Sequence, residues 1–255
     1  MDTSGFRDGM RIDWDVPIEM DDGLVLRADV YRPTADGRYP VILSYGPYAK
    51  GLAFQEGYPS AWQRMVSEHP DVACGSTNKY QNWEVVDPEK WVPHGYICVR
   101  VDSRGTGRSP GYVDHFSPRE TRDFYDCIEW SGVQPWSSGK VGLNGISYYA
   151  INQWQVASFA PPHLAAMCIW EGAADWYRDM THHGGILSAV NSGRGSAARG
   201  RAVADVHRKG ADHGRQRGAP ARNQALSAAR PARATVCSLH QPRERKRQCQ
   251  PVKLE

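Results

Sequence analysis

One serine of this sequence stands where a strand is expected to turn into a helix, within Val141-Gly-Leu-Asn-Gly-Ile-Ser-Tyr-Tyr-Ala150. A nucleophilic serine in that place needs small or backbone-permissive neighbours, and Gly145 supplies one two residues before Ser147. The position two residues after it is Tyr149 rather than glycine, so the G-x-S-x-G pattern is only half met. Taken alone, the pattern favours the simpler interpretation, in which Ser147 is the N-cap of the helix.

The elements around Ser147 are predicted from the hydrophobic pattern. Alternating apolar residues on both sides of the Asp21-Asp22-Gly23 turn predict an antiparallel hairpin formed by 11–20 and 24–31. Short continuous apolar runs are typical of strands buried on both faces. Two such strands are predicted, over 40–45 and 95–101, and two further strands are predicted over 139–143 and 164–170.

Helices are predicted between these strands. Ser117, Pro118 and Glu120 are three agreeing signals for a helix start, and that helix is expected to run to about Trp130. A second helix is predicted over 147–159, directly after the serine. Residues 50–83 lack a clear period and are predicted to be a surface excursion with one helix around 60–67. Strands that alternate with helices favour a parallel sheet with crossover helices.

Two parts of the chain differ in charge and composition. Residues 1–190 hold 16 Lys and Arg against 24 Asp and Glu, whereas residues 191–255 hold 15 against 4 and contain no aromatic residue. The second part is rich in Arg and Ala and has too few apolar residues to offset the entropy of folding. We predict a partial catalytic domain over 1–190 and a disordered basic tail over 191–255. The abrupt change near residue 190 suggests a frameshift product, because Arg, Ala, Gly and Pro have GC-rich codons.

Several motifs in order resemble the cocaine esterase-like and X-prolyl dipeptidyl-peptidase-like serine hydrolases of the α/β-hydrolase fold. The resemblance runs from about residue 10 to residue 190 and is carried by the opening hairpin and by 46–50, 101–111, 123–136 and 145–154. It implies a truncated parallel-sheet core with an N-terminal antiparallel hairpin. It also implies that Ser147 is the nucleophile and that the oxyanion hole is formed by the Tyr48 hydroxyl and the Tyr148 backbone amide.

The acid and the histidine of the triad are expected after two further strands, and the resemblance ends before either. Asp175, Asp179, His182 and His183 have the right chain order but follow the strand over 164–170 at once, so we expect them to lie outside the triad. The two histidines are expected to line the active-site mouth or to pack against a cap. The acidic and histidine residues of the tail lie in sequence without strand signals and are not expected to be catalytic: Asp205, His207, Asp212, His213 and His240.

The glycine-rich stretch after the strand over 95–101 does not match a nucleotide fingerprint, because Pro110 stands where the third glycine belongs. Asp102 and Arg104 are expected to form a structural ion pair or to brace this turn. The six cysteines lack metal-ligand spacing, so no metal or organic cofactor is expected, and a reducing compartment is favoured. Without a predicted membrane span or signal segment, we expect a cytoplasmic protein.

The sequence therefore predicts a serine hydrolase that acts on a small-molecule ester or an X-prolyl peptide through an acyl-enzyme, with the triad incomplete in this chain. Whether such a chain is an active enzyme stays open. The alternative is an inactive hydrolase-like protein whose basic tail contacts nucleic acid or acidic surfaces, with Arg243-Glu-Arg-Lys-Arg247 as its centre. Nucleic acid is the less favoured partner, because the tail has no aromatic residue for base stacking.

Overall fold

The computed structural model describes residues 4–188, and its chain begins with an antiparallel meander. Strands β1 (Gly5–Arg7), β2 (Met10–Glu19) and β3 (Val25–Arg32) pair in succession. Gly23 turns the chain between β2 and β3 with φ +79°, and its N–H donates to the Met20 carbonyl at 2.9 Å. The predicted hairpin is confirmed.

A parallel sheet continues from this meander. Its strands are β4 (Tyr39–Gly46), β5 (Ile97–Asp102), β6 (Ser137–Ile146) and β7 (Leu164–Trp170). The sheet order is β1-β2-β3-β5-β4-β6-β7, with β3 antiparallel to β5 and the later pairs parallel. All four strands expected from the sequence are present, although no residue of β7 is buried. Strand β6 begins before the predicted range 139–143 and ends after it, because pairing with β4 and β7 extends the strand at both ends.

The connection between β4 and β5 is more structured than its composition suggests. It contains the helices α1 (Phe54–Gly57), α2 (Pro59–Glu68) and α3 (Pro88–Trp91), with short 3₁₀ turns after the last two. The predicted helix over 60–67 corresponds to α2. Asp87 caps α3 by accepting a hydrogen bond from the Glu89 N–H at 3.1 Å.

Two longer helices cover the parallel strands. Helix α4 (Pro118–Gly132) begins at the Ser117 cap as predicted and packs against β4 and β6. Helix α5 (Tyr148–Ala157) begins directly after Ser147 and packs against β4, β6 and β7. The chain described ends in a π-helical turn (Trp176–Thr181) and a small hairpin of β8 (His182–His183) and β9 (Ile186–Leu187).

The main core lies between these helices and the sheet. Phe124, Cys127 and Ile128 of α4 are fully buried and form the apolar face with which this helix meets the sheet. They pack with side chains of the strands, among which Tyr45 stacks on Phe124 with ring centroids 4.9 Å apart. Because β4, β5 and β6 are parallel, their carboxyl ends meet at one edge of the sheet, where the residues singled out from the sequence lie.

Candidate active site

Ser147 occupies a strained turn between β6 and α5. Its backbone has φ +56° and ψ −111°, a combination that costs a non-glycine residue about 1–3 kcal/mol. Its side chain makes no capping hydrogen bond to α5, so the N-cap interpretation is wrong. The main chain holds the turn instead, because the Ser147 N–H donates to the Trp170 carbonyl at 3.0 Å. Strain maintained by the surrounding backbone is typical of a serine held for chemistry.

Gly145 and Gly46 leave the space that Tyr149, two residues after Ser147, occupies. A Cβ atom on Gly145 would overlap the Cβ of Tyr149, and a Cβ on Gly46 would lie 2.6 Å from the Tyr149 ring. Tyr149 is buried between the two strands that carry these glycines. The bulky residue therefore fits because the space for its ring comes from β4 and β6 rather than from a glycine in α5.

Tyr48 follows β4 at the same edge of the sheet. Its ring lies edge-on to both tyrosines that follow the serine, with centroids 6.2 Å from Tyr148 and 5.5 Å from Tyr149. The Tyr48 backbone N–H also hydrogen bonds to the Tyr149 hydroxyl. The Tyr148 N–H is the first amide of α5, and the first amides of a helix have no intrahelical acceptor. The three residues singled out from the sequence are thus brought together.

A buried ion cluster braces the segment that carries Tyr48. The Lys50 ammonium donates to Asp29 at 2.6 Å and to Asp15 at 2.7 Å, and the Lys50 backbone N–H donates to Asp102 at 2.7 Å. Burial opposes the charged ammonium, but the Asp29, Asp102 and Asp15 carboxylates hold the pKa of Lys50 above its ordinary value. Removing one partner from such a cluster leaves a buried charge without compensation. The cluster therefore fixes the backbone on which Tyr48 stands.

The Tyr148 side chain is anchored beneath the turn. Its hydroxyl donates to both carboxylate oxygens of Glu120 at 2.7 Å and lies 3.3 Å from Nδ1 of His115. The ring of Phe116 stacks on Tyr148 at 4.3 Å. Burial raises the pKa of Glu120 to about 7. Glu120 was expected only as a helix-start signal, and its contact with Tyr148 could not be seen from sequence spacing.

The connection after β4 returns to the serine through an aromatic cluster. Tyr58 and Trp83 stack at 4.3 Å, and Phe54 packs edge-on against Trp83 at 4.9 Å. The next residue, Glu84, has φ +62°, and its carbonyl accepts the Ile146 N–H at 3.2 Å. Burial raises the pKa of Glu84 to about 8, and the nearby Glu171 adds to the effect. The prediction of a surface excursion over 50–83 did not include this contact with the strand before Ser147. The aromatic residues of the segment were the only feature of the sequence that indicated it.

Asp102 and Arg104 were expected to form an ion pair or to brace this turn; they do not pair with each other, but both brace the turn. Asp102 turns inward, and its carboxylate accepts the Lys50 and Arg108 backbone N–H groups at 2.7 and 2.8 Å. Arg104 reaches instead to Asp123 of α4 at 2.7 Å and to Asp22 at 2.9 Å. The two residues therefore brace the turn separately, Asp102 through backbone N–H groups and Arg104 through carboxylates.

Comparison with known proteins shows the family to which this chain belongs. A family model described as X-Pro dipeptidyl-peptidase, the S15 family, matches residues 22–252. The chain belongs to the S15 family. The matched range includes the basic part of the chain, although residues after 188 lie outside the part that the structure describes.

Relatives of this S15 chain include esterases and peptidases. Cocaine esterase of Rhodococcus sp. is 34% identical over 175 residues, which cover 68% of this chain and 26% of the esterase. A putative Xaa-Pro dipeptidyl-peptidase of Bacillus anthracis is 24% identical and covers 62% of this chain and 28% of that protein. A crystal structure of a CocE/NonD family hydrolase from Staphylococcus aureus is 36% identical, with a TM-score of 0.63, and covers 79% of this chain and 34% of that one.

These comparisons confirm the predicted fold class, a truncated α/β-hydrolase fold. The S15 chain spans only about a quarter to a third of the length of these relatives. The division into a partial domain over 1–190 and a tail over 191–255 stays a prediction, as does every statement about the tail's acidic and histidine residues, which lie outside the described residues.

Four residues after β7 have the chain order of a triad acid and base: Asp175, Asp179, His182 and His183. The contacts described for them are with residues of their own segment. Asp175 accepts the Arg178 N–H at 2.9 Å, and Asp179 accepts the Ala174 N–H at 3.0 Å. His182 stacks on Tyr177 at 4.3 Å, and His183 pairs with Ile186 in the terminal hairpin. Their position at the mouth of the site stays a prediction.

Residues 4–188 contain neither a candidate metal site nor a candidate membrane span. In this range no three His, Cys, Asp or Glu side chains are grouped so that they could hold a metal ion. None of the helices described is long and apolar enough to cross a membrane.

Proposed function

We propose that this S15 chain carries the nucleophile and the oxyanion hole of a serine hydrolase but not its acid and base. The observation that carries the proposal is the strained backbone of Ser147 at the end of a parallel strand, without a capping bond from its side chain. Strained backbone of this kind, held in place by the surrounding structure, clusters at functional sites. Its position at the carboxyl edge of the sheet is where ligands bind in open α/β folds.

The residues around Ser147 support acyl transfer. In the proposed reaction the Ser147 Oγ attacks the carbonyl carbon of an ester or amide, and its proton passes to a general base. The negative charge that develops on the carbonyl oxygen is stabilised by the Tyr48 hydroxyl and the Tyr148 N–H, two donors held before the reaction begins. Such donors are worth about 3–4 kcal/mol each. Loss of the alcohol or amine leaves an acyl-enzyme, which water hydrolyses.

The base and the acid that orients it are proposed to belong to a part of the hydrolase beyond residue 188. Asp175 and Asp179 are occupied by backbone N–H groups of their own turn, and His182 stacks on a tyrosine. The relatives are three to four times longer than the part of them that this chain matches. A serine without a base is a weak nucleophile at neutral pH.

The proposed substrates are small acyl esters or X-prolyl peptides. One relative is named a cocaine esterase and another a putative Xaa-Pro dipeptidyl-peptidase, and both reactions pass through the same acyl-enzyme chemistry. The residues described do not favour one leaving group over the other, so the proposal is the shared reaction class.

The test compares this chain with one in which the missing strands are restored. We expect the 255-residue chain to hydrolyse p-nitrophenyl acetate at nearly the uncatalysed rate, and the restored chain to turn over. Ser147→Ala should abolish turnover of the restored chain, whereas Ser67→Ala, an exposed serine of α2, should not change it.

Two outcomes would contradict the proposal. Restored activity that survives Ser147→Ala would remove Ser147 as nucleophile. Efficient turnover by the 255-residue chain that is lost in Ser147→Ala would keep the nucleophile but show that a base is already present. His182→Ala and His183→Ala would then be the first variants to identify it.

A further inference from the structure

A cavity of about 270 Å³ lies at the amino edge of the parallel strands, opposite the edge that carries Ser147. Its walls include Tyr39 at the start of β4, Ile97 at the start of β5 and Trp136, which precedes β6. Strand β4 has eight residues, so its two ends are about 23 Å apart. The cavity is therefore separate from the candidate active site.

Two arginines that line this cavity lie opposite each other on neighbouring strands. Arg11 of β2 and Arg32 of β3 are partners in the antiparallel register, so their side chains leave the same face of the sheet. Like charges directly opposite each other destabilise a sheet. The Arg32 Nη2 donates to the Asp13 carboxylate, and the Arg11 Nε lies 4.0 Å from it, beyond hydrogen-bond distance. One carboxylate thus serves two guanidinium groups.

The Arg32 side chain is largely buried and leaves most of its donors unused. It is 14% exposed, and its Cζ lies 5.8 Å from the centre of the Trp136 ring. Within residues 4–188, Nη2 is the guanidinium nitrogen that makes a hydrogen bond, and Nε is buried without a partner. Nη1 also has no partner there, and it is not fully buried. Because a guanidinium carries five N–H donors and unpaired buried donors cost free energy, an oxyanion in the cavity would stabilise Arg32.

The other charged groups beside the cavity leave it with a positive balance. Asp36 lines it on the turn between β3 and β4 and is exposed. Arg38 of the same turn donates from its Nε to the Ser137 carbonyl at 2.7 Å. Together with the two arginines and the aspartate on β2 and β3, this makes three cations against two carboxylates. The cavity therefore favours an anion.

The remaining lining indicates the rest of the ligand. It includes two aromatic rings and three aliphatic side chains: Tyr39, Trp136, Ile97, Pro33 and Pro135. Such walls suit a flat apolar body, whereas the arginine fork matches a carboxylate or a phosphate. The volume lies just below the roughly 300–1,000 Å³ of sites for drug-sized ligands, so the ligand is small.

We propose that this cavity binds a small aryl carboxylate. The carboxylate bonds to the guanidinium groups of Arg32 and Arg11, and the ring lies against Tyr39 and Trp136. Inorganic phosphate would meet the same two arginines but would leave the apolar walls unused. This inference is independent of the chemistry at Ser147.

Isothermal titration of the full 255-residue chain with benzoate tests the proposal. We expect one site with a Kd below about 1 mM. Arg32→Lys should raise Kd by about tenfold or more, because lysine keeps the charge but loses the two-pronged geometry. Arg11→Gln should raise Kd by about threefold or more, through loss of one cation. The matched controls are Arg64→Lys and Arg64→Gln on α2, where the Arg64 side chain is 78% exposed and pairs with Glu68, and Kd should stay unchanged.

Melting curves show whether each variant is folded, and Arg11→Gln decides the result if Arg32→Lys is not, because the Arg11 side chain is 46% exposed. Inorganic phosphate should displace benzoate only at concentrations about tenfold higher or more. Absence of benzoate binding up to about 10 mM would overturn the proposal. Binding that both arginine variants leave unchanged would place the ligand elsewhere and overturn it too. Phosphate that binds as tightly as benzoate would show a general anion site and not one for aryl carboxylates.

Discussion

The turn after β6 depends on the backbone of both Gly145 and Ser147. Ser147 takes the strained backbone conformation, and Gly145 allows α5 to approach the strand closely enough for Tyr149 to pack. The strain is therefore maintained by close packing that a single methyl group would disturb.

Gly145→Ala should lower the free energy of unfolding by about 1–3 kcal/mol, because its Cβ would overlap Tyr149 and overpacking a core has this cost. Gly51→Ala is the matched control, since a Cβ there meets nothing within 4 Å and should change stability by less than about 0.5 kcal/mol. Denaturant unfolding of both variants measures the difference. Equal effects would show that the approach of α5 to β6 is not as close as described.

Glu84 should make the folded chain less stable as pH rises. Its pKa is raised from 4.5 to about 8 by burial, so the folded chain keeps a proton that the unfolded chain releases. The stability associated with this proton is complete below about pH 4.5 and is lost as pH rises through about 8. The melting temperature should therefore be lower at about pH 8 than at about pH 6.

Glu84→Gln should reduce that difference, because glutamine has no proton to lose in this range. Part of the slope should remain, since burial also raises the pKa of Glu120 to about 7. The control is Glu68→Gln, at a half-exposed residue of α2 that pairs with Arg64. An unchanged slope in Glu84→Gln would mean that Glu84 is ionised in the folded chain at neutral pH.

At the scale of elements, α4 connects the sheet to the serine. Its first turn holds Glu120, which contacts Tyr148, and its second turn holds Asp123, which pairs with Arg104 of the glycine-rich turn. The start of this helix is set by Ser117, whose hydroxyl accepts the Glu120 N–H at 3.1 Å. Loss of the Ser117 cap should therefore loosen the start of α4 and, with it, the contact between Glu120 and Tyr148.

Ser117→Ala should lower the free energy of unfolding by about 1 kcal/mol, the usual cost of losing an N-cap. Ser67→Ala on α2 should have an effect near zero, since Ser67 is exposed and bonds only to a carbonyl of its own helix. Thermal or denaturant melts of the two variants check this. Equal stability of Ser117→Ala and the unaltered chain would show that Pro118 alone is sufficient to start α4.

At the scale of the whole molecule, β7 pairs only with β6 within residues 4–188. Composition predicts that residues after about 190 are cleaved quickly in limited proteolysis, because they have few apolar residues to bury. The remaining core should be marginally stable and prone to aggregate through β7. A protease-resistant segment after 190, or a cooperative melt of the monomer above about 65 °C, would contradict this.

The origin of the basic segment can be decided from the nucleotide sequence. If a frameshift near codon 190 replaced the rest of a longer hydrolase, another forward frame past that point should encode alternating strands and helices. That frame should also supply an Asp and then a His on loops after strands. The family match to residue 252 leaves the point open, because it includes the basic segment. Short open stretches in both other frames would mean that the segment is the protein's own.

Elements with strong local signals followed directly from the sequence. The hairpin around Gly23, the strand over 164–170 and the start of α4 at Ser117 were predicted with bounds close to those observed, because turn residues, apolar runs and caps act over a few neighbouring positions. The position of Ser147 between a strand and a helix was also visible in the sequence, but its role as nucleophile and the choice of Tyr48 and Tyr148 came from the family resemblance.

Contacts between distant segments could not be obtained in this way. The partners of Asp102, Arg104 and Glu120, the return of Glu84 to the strand before Ser147, and the space for Tyr149 beside Gly46 all join residues from separate elements. The strained backbone of Ser147 and the missing cap hydrogen bond from its side chain were likewise visible only in the structure, and the nucleophile role of Ser147 stays a proposal. Local sequence leaves such choices open because their energy comes from burial and from long-range hydrogen bonds, which exist only once β4, β5 and β6 lie side by side.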